Sequence, residues 1–379
     1  MDFQLSEDNL MYRDAAREFA QKRLFPQASE FDEAAEIPKE LYDELGKLGY
    51  FGMLIPEKYG GMGLDNLSYI CAMEEFARGC AALMISLSVH NSLVGEALIL
   101  HGTDGQKDKY LPRLATGEIT GAYCLSEPGS GSDAGSLKAT ADFDKDSFIL
   151  NGTKSFVTNA GLAGLFLVFA LTDRSAGRKG VSCILVEQGA KGMIIGAKEK
   201  KMGLKGSDTR EVSFDNCRIP SANLLGEKDH GLRIAFSLLS NGRIGVGSQA
   251  VGIAQAAYEE ALKYSKIREQ FGQAICNFQA IAFKLAEMAM RIDAARLLVH
   301  RAAWLKDQNL PHSIEASMAK LFASETANWV CNEAVQIHGG YGYMKEYAVE
   351  RYFRDARVTE IYEGTSEVQK MVISRAILK

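Results

Sequence analysis

The sequence lacks the cysteine patterns that hold small secreted proteins or zinc sites together. Its seven cysteines are odd in number, widely spaced and free of any Cys-X-X-Cys pair. This excludes a disulfide framework and a zinc ribbon, and it makes a reducing cytoplasm the expected location. The cysteines are Cys71, Cys80, Cys124, Cys183, Cys217, Cys276 and Cys331.

Long apolar runs and blocks of positive charge are also missing. No stretch approaches about eighteen uninterrupted apolar residues, so no membrane insertion is expected. The beginning of the chain is acidic and amphipathic, without the basic and apolar regions of a signal peptide. The formal net charge is -5 and there is no Lys/Arg tail, so no nucleic-acid partner is expected either. The six histidines show no metal-ligand spacing, and no metal is expected.

What is present is enough chain for two or three packed units: 379 residues, 47% of them hydrophobic and 24% charged. Residues 1–120 predict a helical domain that begins at a Ser6 N-cap. Residues 121–230 predict a compact antiparallel sheet domain, and residues 231–379 a second helical domain. The predicted strands are Phe148 to Leu150, Leu165 to Leu171, Val181 to Val186 and Glu211 to Phe214.

The second helical domain shows the clearest periodicity. Apolar residues recur at steps of three and four from Leu285 to Ala303, which is typical of a helix that packs one face into a core. The same pattern continues from Met318 to Ile337, and the glycines that follow at 339, 340 and 342 end it.

Two segments of the sheet domain have the composition of ligand-binding loops. The first, Ala122 to Asp133, combines hydroxyls, glycines and backbone donors that can wrap a polar heterocycle or a phosphate, although a plain turn-rich loop has the same composition. It lacks the spacing of a dinucleotide fingerprint. In the second, Phe156 and Thr158 share one side of an extended segment and could cover a flat ring and bond its edge. A hairpin with a half-buried Phe is the alternative.

A carboxylate stands directly before a glycine near the end of the chain, at Glu363 and Gly364. Glu363 is the candidate general base, because its carboxylate can enter a pocket while Gly364 lets ligand atoms approach the backbone. Taken alone, the pair is more typical of a surface turn than of a catalytic site.

Two long motifs and three shorter ones together closely resemble the acyl-CoA dehydrogenase family, and the resemblance covers essentially the whole chain. The matching residues are Cys124, Ser126, Glu127, Gly131, Ser132, Asp133 and Ser136; Gly203 to Glu211; Arg268 to Gly272 with Gln279; Gln336, Gly339, Gly340, Gly342, Tyr343, Glu346, Arg351 and Asp355; and Ile361 to Thr365. The implied fold is α+β and multidomain: an N-terminal helical domain, a middle antiparallel β-barrel or sandwich, and a C-terminal four-helix bundle.

The resemblance implies an FAD enzyme that removes one hydrogen each from Cα and Cβ of an acyl-CoA thioester and gives the trans-2-enoyl-CoA. It assigns the α-proton to Glu363 and the β-hydrogen, as hydride, to flavin N5. In the family, the backbone N–H of the base and a flavin hydroxyl stabilise charge on the thioester oxygen. Burial beside the acyl chain and the flavin is expected to raise the pKa of Glu363.

The resemblance also assigns residues to FAD. Thr158 is expected near the reactive edge of the flavin ring and Phe156 over the face away from substrate, where many relatives carry Trp. The loop residues expected to bound the ring are Tyr123, Leu125, Ser126, Gly131 and Ser132, and Thr365 and Glu367 are further contacts. The pyrophosphate and adenosine contacts are expected from Arg268, Phe271 and Gln279, with Gln336, Gly339 and Gly340 contributed by a neighbouring subunit.

Substrate contacts and partners follow from the same resemblance. The expected CoA and substrate contacts are Ser132, Ser240, Asn241, Arg243 and Gly364. Short-chain relatives often carry an acid where Ser240 stands. A few subfamilies carry the base where Gly242 stands, and since glycine cannot serve, Glu363 is the only supported base. The implied partners are an electron-transferring flavoprotein and copies of this chain, in a homotetramer built as a dimer of dimers.

The sequence is compatible with several functions. A short, butyryl-like acyl group is expected, but a branched or alicyclic group such as cyclohexanecarboxyl would use the same base and flavin. An acyl-CoA oxidase would pass electrons to oxygen, and the chain lacks the longer C-terminal extension common in oxidases. A non-catalytic family member would most simply have lost the base, whereas Glu363 is present.

Overall fold

The computed structural model describes residues 4–379, which begin with a layer of helices. Ser6 caps the first helix as predicted: its Oγ accepts the backbone N–H of Asn9 at 3.2 Å, and Asn9 Oδ1 accepts the N–H of Ser6 at 3.0 Å. The helices of this layer are α1 (Glu7–Phe19), α2 (Ala28–Ala34), α3 (Lys39–Lys47), α4 (Asn66–Ser88), α5 (Glu96–His101) and α6 (Asp104–Ala115).

Helices α4 and α5 form one nearly continuous run, joined by a π-helical turn at Val89–Gly95. By length and composition this run, Asn66–His101, could cross a membrane, with a mean hydropathy of 1.5 over 18 residues. In the fold, 89% of that window is buried, because α4 packs against α1 and against two helices of the C-terminal part. The apolar composition is therefore that of a core helix.

The middle of the chain forms one curved sheet. Its strands are β1 (Thr120–Cys124), β2 (Thr140–Asp144), β3 (Ser147–Thr158), β4 (Ala163–Leu171), β5 (Val181–Glu187), β6 (Met193–Lys198), β7 (Thr209–Pro220) and β8 (Leu224–Leu225). Their order is β6-β7-β3-β2-β4-β5-β8, and β1 pairs with β4. The four strands predicted from sequence are all present, within β3, β4, β5 and β7.

The sheet differs from the expected antiparallel one at two pairings. Strand β1 runs parallel to β4, and β2 meets β4 in parallel at Thr140 and Leu171. The reason is that the long loop after β1 carries the chain across the sheet before it turns back. The remaining pairings of this sheet are antiparallel.

Strand β4 is buried on both faces. Leu165, Leu167 and Phe169 belong to the core shared with the helices, whereas Phe166 and Val168 belong to a separate core inside the sheet. The sheet is thus fixed against the helical layers, and the loops that leave its edges are held in place beside them.

Helices return after the sheet. The C-terminal elements are α7 (Gly231–Ile267), a short hairpin of β9 (Glu269–Gln270) and β10 (Gln273–Ala274), α8 (Gln279–Asp307), α9 (Ser313–His338), α10 (Val349–Arg357) and α11 (Ser366–Ile377). Helix α9 packs against α7, α8, α10 and α11. The apolar stripe predicted on α8 is buried from Leu285 to Ala303, and α9 ends at His338, before the glycines that were expected to end it.

Candidate active site

Glu363 lies in the tight turn between α10 and α11, with its side chain directed at α7. Its φ of 52° and the φ of 98° at Gly364 are both left-handed, which for a non-glycine residue costs about 1–3 kcal/mol and persists only where the surroundings enforce it. A β-carbon added to Gly242 of α7 would lie 2.0 Å from Glu363 Oε2. The absence of a side chain at Gly242 therefore makes room for the carboxylate.

Two side chains hold this turn through its carbonyl groups. Gln369 Nε2 donates to the carbonyl oxygens of Glu363 at 3.2 Å and Gly364 at 2.8 Å. Lys320 Nζ donates to the same Gly364 carbonyl at 2.8 Å. Thr365 continues the turn by capping α11, since its Oγ1 accepts the N–H of Val368 at 3.3 Å. These contacts maintain the left-handed backbone at Glu363.

The surroundings of Glu363 raise the pKa of its carboxyl group, so its neutral form persists to a higher pH than is usual for a glutamate. Burial raises the pKa of Glu363 to about 7, and the positive charges of Lys320 and Arg243 oppose that rise. Oε2 is buried without a hydrogen-bond partner among residues 4–379. A carboxyl group with a pKa near neutrality and an unused oxygen can accept a proton from a bound molecule.

The expected substrate contacts on α7 point in different directions. Ser240 Oγ donates to the carbonyl of Phe236 at 3.0 Å. Asn241 is buried, and its amide donates to Glu96 at 2.9 Å and accepts from His312 at 3.0 Å. Its side chain is thus occupied by protein contacts.

Arg243 lies in the interior, beside Glu363, and is only 7% exposed. One of its terminal nitrogens donates to Ser317 Oγ at 3.2 Å, and its Nε is buried without a partner among the described residues. This buried guanidinium therefore acts on Glu363 through its charge. Its use as a contact to the CoA portion of a substrate stays a prediction.

The loop that follows β1 is fixed by a buried ion pair that the sequence reasoning did not identify. Glu127 accepts Lys154 Nζ at 2.7 Å and the backbone N–H groups of Lys138 and Ala139 at 2.6 and 3.0 Å. Lys154 also donates to the Leu125 carbonyl at 3.2 Å and is fully buried. The exposed Gly131 and Ser132 thus project from a rigid base.

The second predicted segment is joined to this loop by the backbone. The N–H of Ser155 donates to the carbonyl of Ser126 at 2.9 Å. Phe156 does not lie in extended backbone as expected, because an irregularity between Lys154 and Val157 interrupts the pairing of β3 with β7 there. Phe156 has a φ of 58° and is 72% exposed, while Thr158 pairs with Thr209 in the sheet. Tyr123 is half-buried, and its hydroxyl donates to the Ala235 carbonyl at 3.4 Å. An apolar ring presented to solvent on strained backbone is typical of a surface that a flat ligand covers.

The remaining cofactor candidates lie together at the far end of α7. Arg268 directly follows that helix, and its guanidinium lies 5.6 Å from the ring centroid of Tyr341, next to Gly339 and Gly340. Phe271 is 94% exposed at the tip of the β9–β10 hairpin. The other exposed members of this group are Gln279, at the start of α8, and Gln336, near the end of α9.

Within one chain, Arg268 and the glycines that were assigned to a neighbouring subunit form one cluster, and Arg268 stands 26 positions beyond Gly242. At a helical rise of about 1.5 Å per residue, about 39 Å of α7 separates them from the base. All of these residues therefore face a different part of the molecular surface from Glu363 of the same chain.

Comparison with known proteins identifies the family. Models of the N-terminal, middle and C-terminal domains of acyl-CoA dehydrogenases match residues 6–118, 122–217 and 229–378. A short-chain specific acyl-CoA dehydrogenase of Clostridium acetobutylicum is 45% identical over 100% of both chains. The CarC subunit of the caffeyl-CoA reductase-Etf complex of Acetobacterium woodii is 48% identical over 99% of both.

The fold has a solved counterpart as well. The structure of butyryl-CoA dehydrogenase from Megasphaera elsdenii superimposes with a TM-score of 0.98 at 46% identity, covering 100% of each chain. Three matching domain models, full-length relatives and a shared fold lead to one conclusion: the chain belongs to the acyl-CoA dehydrogenase family, oxidoreductases that act on acyl-CoA.

Proposed function

We propose that this protein catalyses the FAD-dependent α,β-dehydrogenation of an acyl-CoA thioester to the trans-2-enoyl-CoA, with Glu363 as the base that takes the α-proton. The observation that carries the proposal is that Glu363 Oε2 is buried and directed into the space that Gly242 leaves open. A surface Glu-Gly turn would present its carboxylate to water instead.

The residues of the chain account for the proton step. Glu363 Oε2 accepts the α-proton of the bound thioester, and the backbone N–H of the same residue donates to the thioester oxygen as negative charge develops there. Lys320 and Gln369 keep the turn in the conformation that brings both groups to one side. Gly242 gives the Cα–Cβ bond access to the carboxylate.

The exposed residues around the loop after β1, together with the cluster at the far end of α7 of a second copy, fit FAD. Phe156 offers a flat apolar face, and open space surrounds the β-carbon positions of Gly131, Gly339 and Gly340. Arg268 has the planar donor geometry that suits a pyrophosphate. FAD held by these residues would accept the hydride from Cβ, and Thr158 and Tyr123 would line its ring.

The proposed homotetramer is supported by exposed apolar surface on the C-terminal helices. On α8, Phe283, Met290, Leu297 and Trp304 recur every seventh residue and are 64%, 64%, 44% and 50% exposed. A stripe with this spacing lies on one helix face, and exposed apolar stripes of this length mark interfaces. The separation of Arg268 from Glu363 along α7 further supports a cofactor site completed by a second copy.

Charge placed in this stripe is expected to break the assembly. The double variant Met290→Glu, Leu297→Glu should dissociate the tetramer into smaller species and lower FAD retention at least about tenfold, since an unpaired charge buried in an interface costs about 3–5 kcal/mol. Sedimentation velocity and the flavin-to-protein ratio measure both effects. Leu48→Glu, at a side chain 51% exposed outside α8, is the matched control and should change neither. A double variant that remains tetrameric would show that this face of α8 is not a subunit interface.

The rate of the proton step should depend on pH through Glu363. Only the ionised carboxylate accepts a proton, and its pKa is raised to about 7 by burial. The apparent kcat/KM should therefore fall about tenfold per pH unit below that value and level off above it. Stopped-flow flavin reduction in a series of buffers measures the profile. An acid limb near pH 4–5, the ordinary range of a glutamate, would show that the site does not perturb Glu363.

The acyl group is proposed to be short and butyryl-like, on the strength of the short-chain and butyryl-CoA relatives. A branched or alicyclic group such as cyclohexanecarboxyl is the second candidate. The caffeyl-CoA reductase relative favours testing the reverse reaction as well, since it is named for reducing an enoyl-CoA and for its Etf complex. An electron-transferring flavoprotein is accordingly the proposed redox partner. Seven free cysteines, six of them buried, support a reducing cytoplasm as the location.

Anaerobic bleaching of the flavin absorbance tests this function. Butyryl-CoA should bleach the purified holoenzyme faster than octanoyl-, isobutyryl- or cyclohexanecarboxyl-CoA, and crotonyl-CoA should reoxidise the reduced enzyme. Rapid peroxide formation in air would favour an acyl-CoA oxidase instead. A bound flavin that no acyl-CoA bleaches would contradict the proposal and favour a non-catalytic member.

A further inference from the structure

Lys320 is a fully buried lysine in the middle of α9, with a relative exposure of 0%. Its Nζ donates to one neutral acceptor, the Gly364 carbonyl at 2.8 Å. An ammonium group removed from water is costly unless a charge and further hydrogen bonds compensate it. A negative charge that compensates the buried ammonium group is therefore expected near Lys320.

The compensating charge is the carboxylate of the turn that Lys320 holds. Glu363 is the charge that most favours protonated Lys320, followed by Glu360 and Glu367, whereas Arg243 disfavours it. Burial lowers the pKa of Lys320 to about 8. Two cations interact electrostatically with Glu363: Lys320 from α9 and Arg243 from α7. The other titratable groups that interact with it are Tyr69 of α4, Tyr123 of β1 and Tyr362 of its own turn.

We propose that Lys320 is a positioning residue for the base: its ammonium holds the Glu363–Gly364 turn through the Gly364 carbonyl, and its charge keeps the Glu363 carboxylate ionised in a buried site. The inference rests on the proposed role of Glu363 as the base. Lys320 thus makes two contributions: a hydrogen bond to the backbone of the turn and a positive charge that stabilises the ionised carboxylate.

The chain offers a matched control that separates these contributions. Gln369 donates to the same Gly364 carbonyl as Lys320, at 2.8 Å, but carries no charge. Lys320→Met removes the hydrogen bond and the charge while nearly keeping the side-chain volume. Gln369→Met removes the two hydrogen bonds that this side chain donates to the same turn, at the Glu363 and Gly364 carbonyls, and leaves the charge in place. Lys320→Arg keeps the charge.

The experiment is the pH profile of flavin reduction in the three holoenzyme variants and the wild type. Lys320→Met should move the acid limb upward by about one pH unit, since loss of a nearby positive charge raises a carboxyl pKa by about that amount. Its rate should be lowered at every pH because the hydrogen bond to the turn is lost, and by about a further tenfold below the limb, where more of the carboxyl is protonated. Gln369→Met should lower the rate at every pH without moving the limb, and Lys320→Arg should leave the limb in place.

A second readout does not depend on turnover. The infrared carbonyl band of a protonated carboxyl that is absent from Glu363→Gln reports the titration of Glu363 directly, and it should persist to higher pH in Lys320→Met than in the wild type. Melting temperature and flavin content show whether each variant folds, and Lys320→Gln replaces Lys320→Met if the latter does not.

The outcomes are distinct. An unmoved acid limb together with an unmoved infrared band in a folded Lys320 variant would overturn the inference and leave the lysine a structural residue. If no acyl-CoA bleaches the wild type, the proposed function fails, while the infrared titration still decides whether Lys320 controls the ionisation of Glu363.

Discussion

Glu363→Gln is expected to lower the rate of flavin reduction by an acyl-CoA at least about 10²–10⁴-fold, the usual contribution of a general base. Glutamine keeps the size of the side chain and fits the space opposite Gly242, but its amide does not accept the α-proton. FAD content, melting temperature and binding of the product enoyl-CoA should stay close to those of the wild type. Stopped-flow absorbance under anaerobic conditions measures the rate.

Glu18→Gln is the matched control for this prediction. Glu18 lies on α1 with its side chain 66% exposed and forms an ion pair with Lys22, four residues further along the chain. Its replacement should leave the rate within about twofold of the wild type, as is usual for surface substitutions. Near wild-type turnover in a flavin-loaded Glu363→Gln enzyme would contradict the assignment of the base.

Gly242→Ala is expected to have the second largest effect, about 10²-fold on the rate. The new methyl group would lie 2.0 Å from Glu363 Oε2, so the carboxylate must move away from the place where the α-proton is taken. A displacement of about 1 Å in a reacting group is enough for a loss of that size. The same methyl group would occupy space that the acyl chain needs.

Stability should change in the opposite direction from activity. Alanine favours a helix over glycine by about 1 kcal/mol, so Gly242→Ala should melt at or above the temperature of the wild type while its rate falls. Gly105→Ala, in α6, is the control, because nothing lies within 4 Å of its β-carbon position. It should gain stability with an unchanged rate. A Gly242→Ala enzyme as active as the control would show that the carboxylate does not need this space.

The order of helices, sheet and helices could be predicted because its longest elements carry strong local patterns. Strand β4 appears as a continuous apolar run because both of its faces are buried. The α8 stripe has the period of a helix against a core. Strands β2 and β6 were not predicted, because these short, half-exposed segments, the first with two aspartates and the second with an interior glycine, adopt strand structure only through pairing with β3 and β7.

The site could be predicted only in part for a similar reason. Glu363 stands out in the sequence because a glycine follows it inside a family motif. The position of its carboxylate, however, depends on the space at Gly242 of α7, which is far away in the sequence. Lys320 and Gln369 carry no local signal, since a lysine or glutamine within a helix usually faces water. Their burial is a property of the packed fold. The same holds for the Lys154–Glu127 pair beneath the loop after β1.

Deuterium exchange at Cα of butyryl-CoA in D₂O tests the central claim most directly, because it reports proton transfer to the base separately from hydride loss at Cβ. The wild-type holoenzyme should incorporate deuterium at Cα, as measured by mass spectrometry of the recovered thioester, and Glu363→Gln should not exceed the rate without enzyme. Exchange at the wild-type rate in Glu363→Gln would show that another group takes the α-proton and would contradict the account.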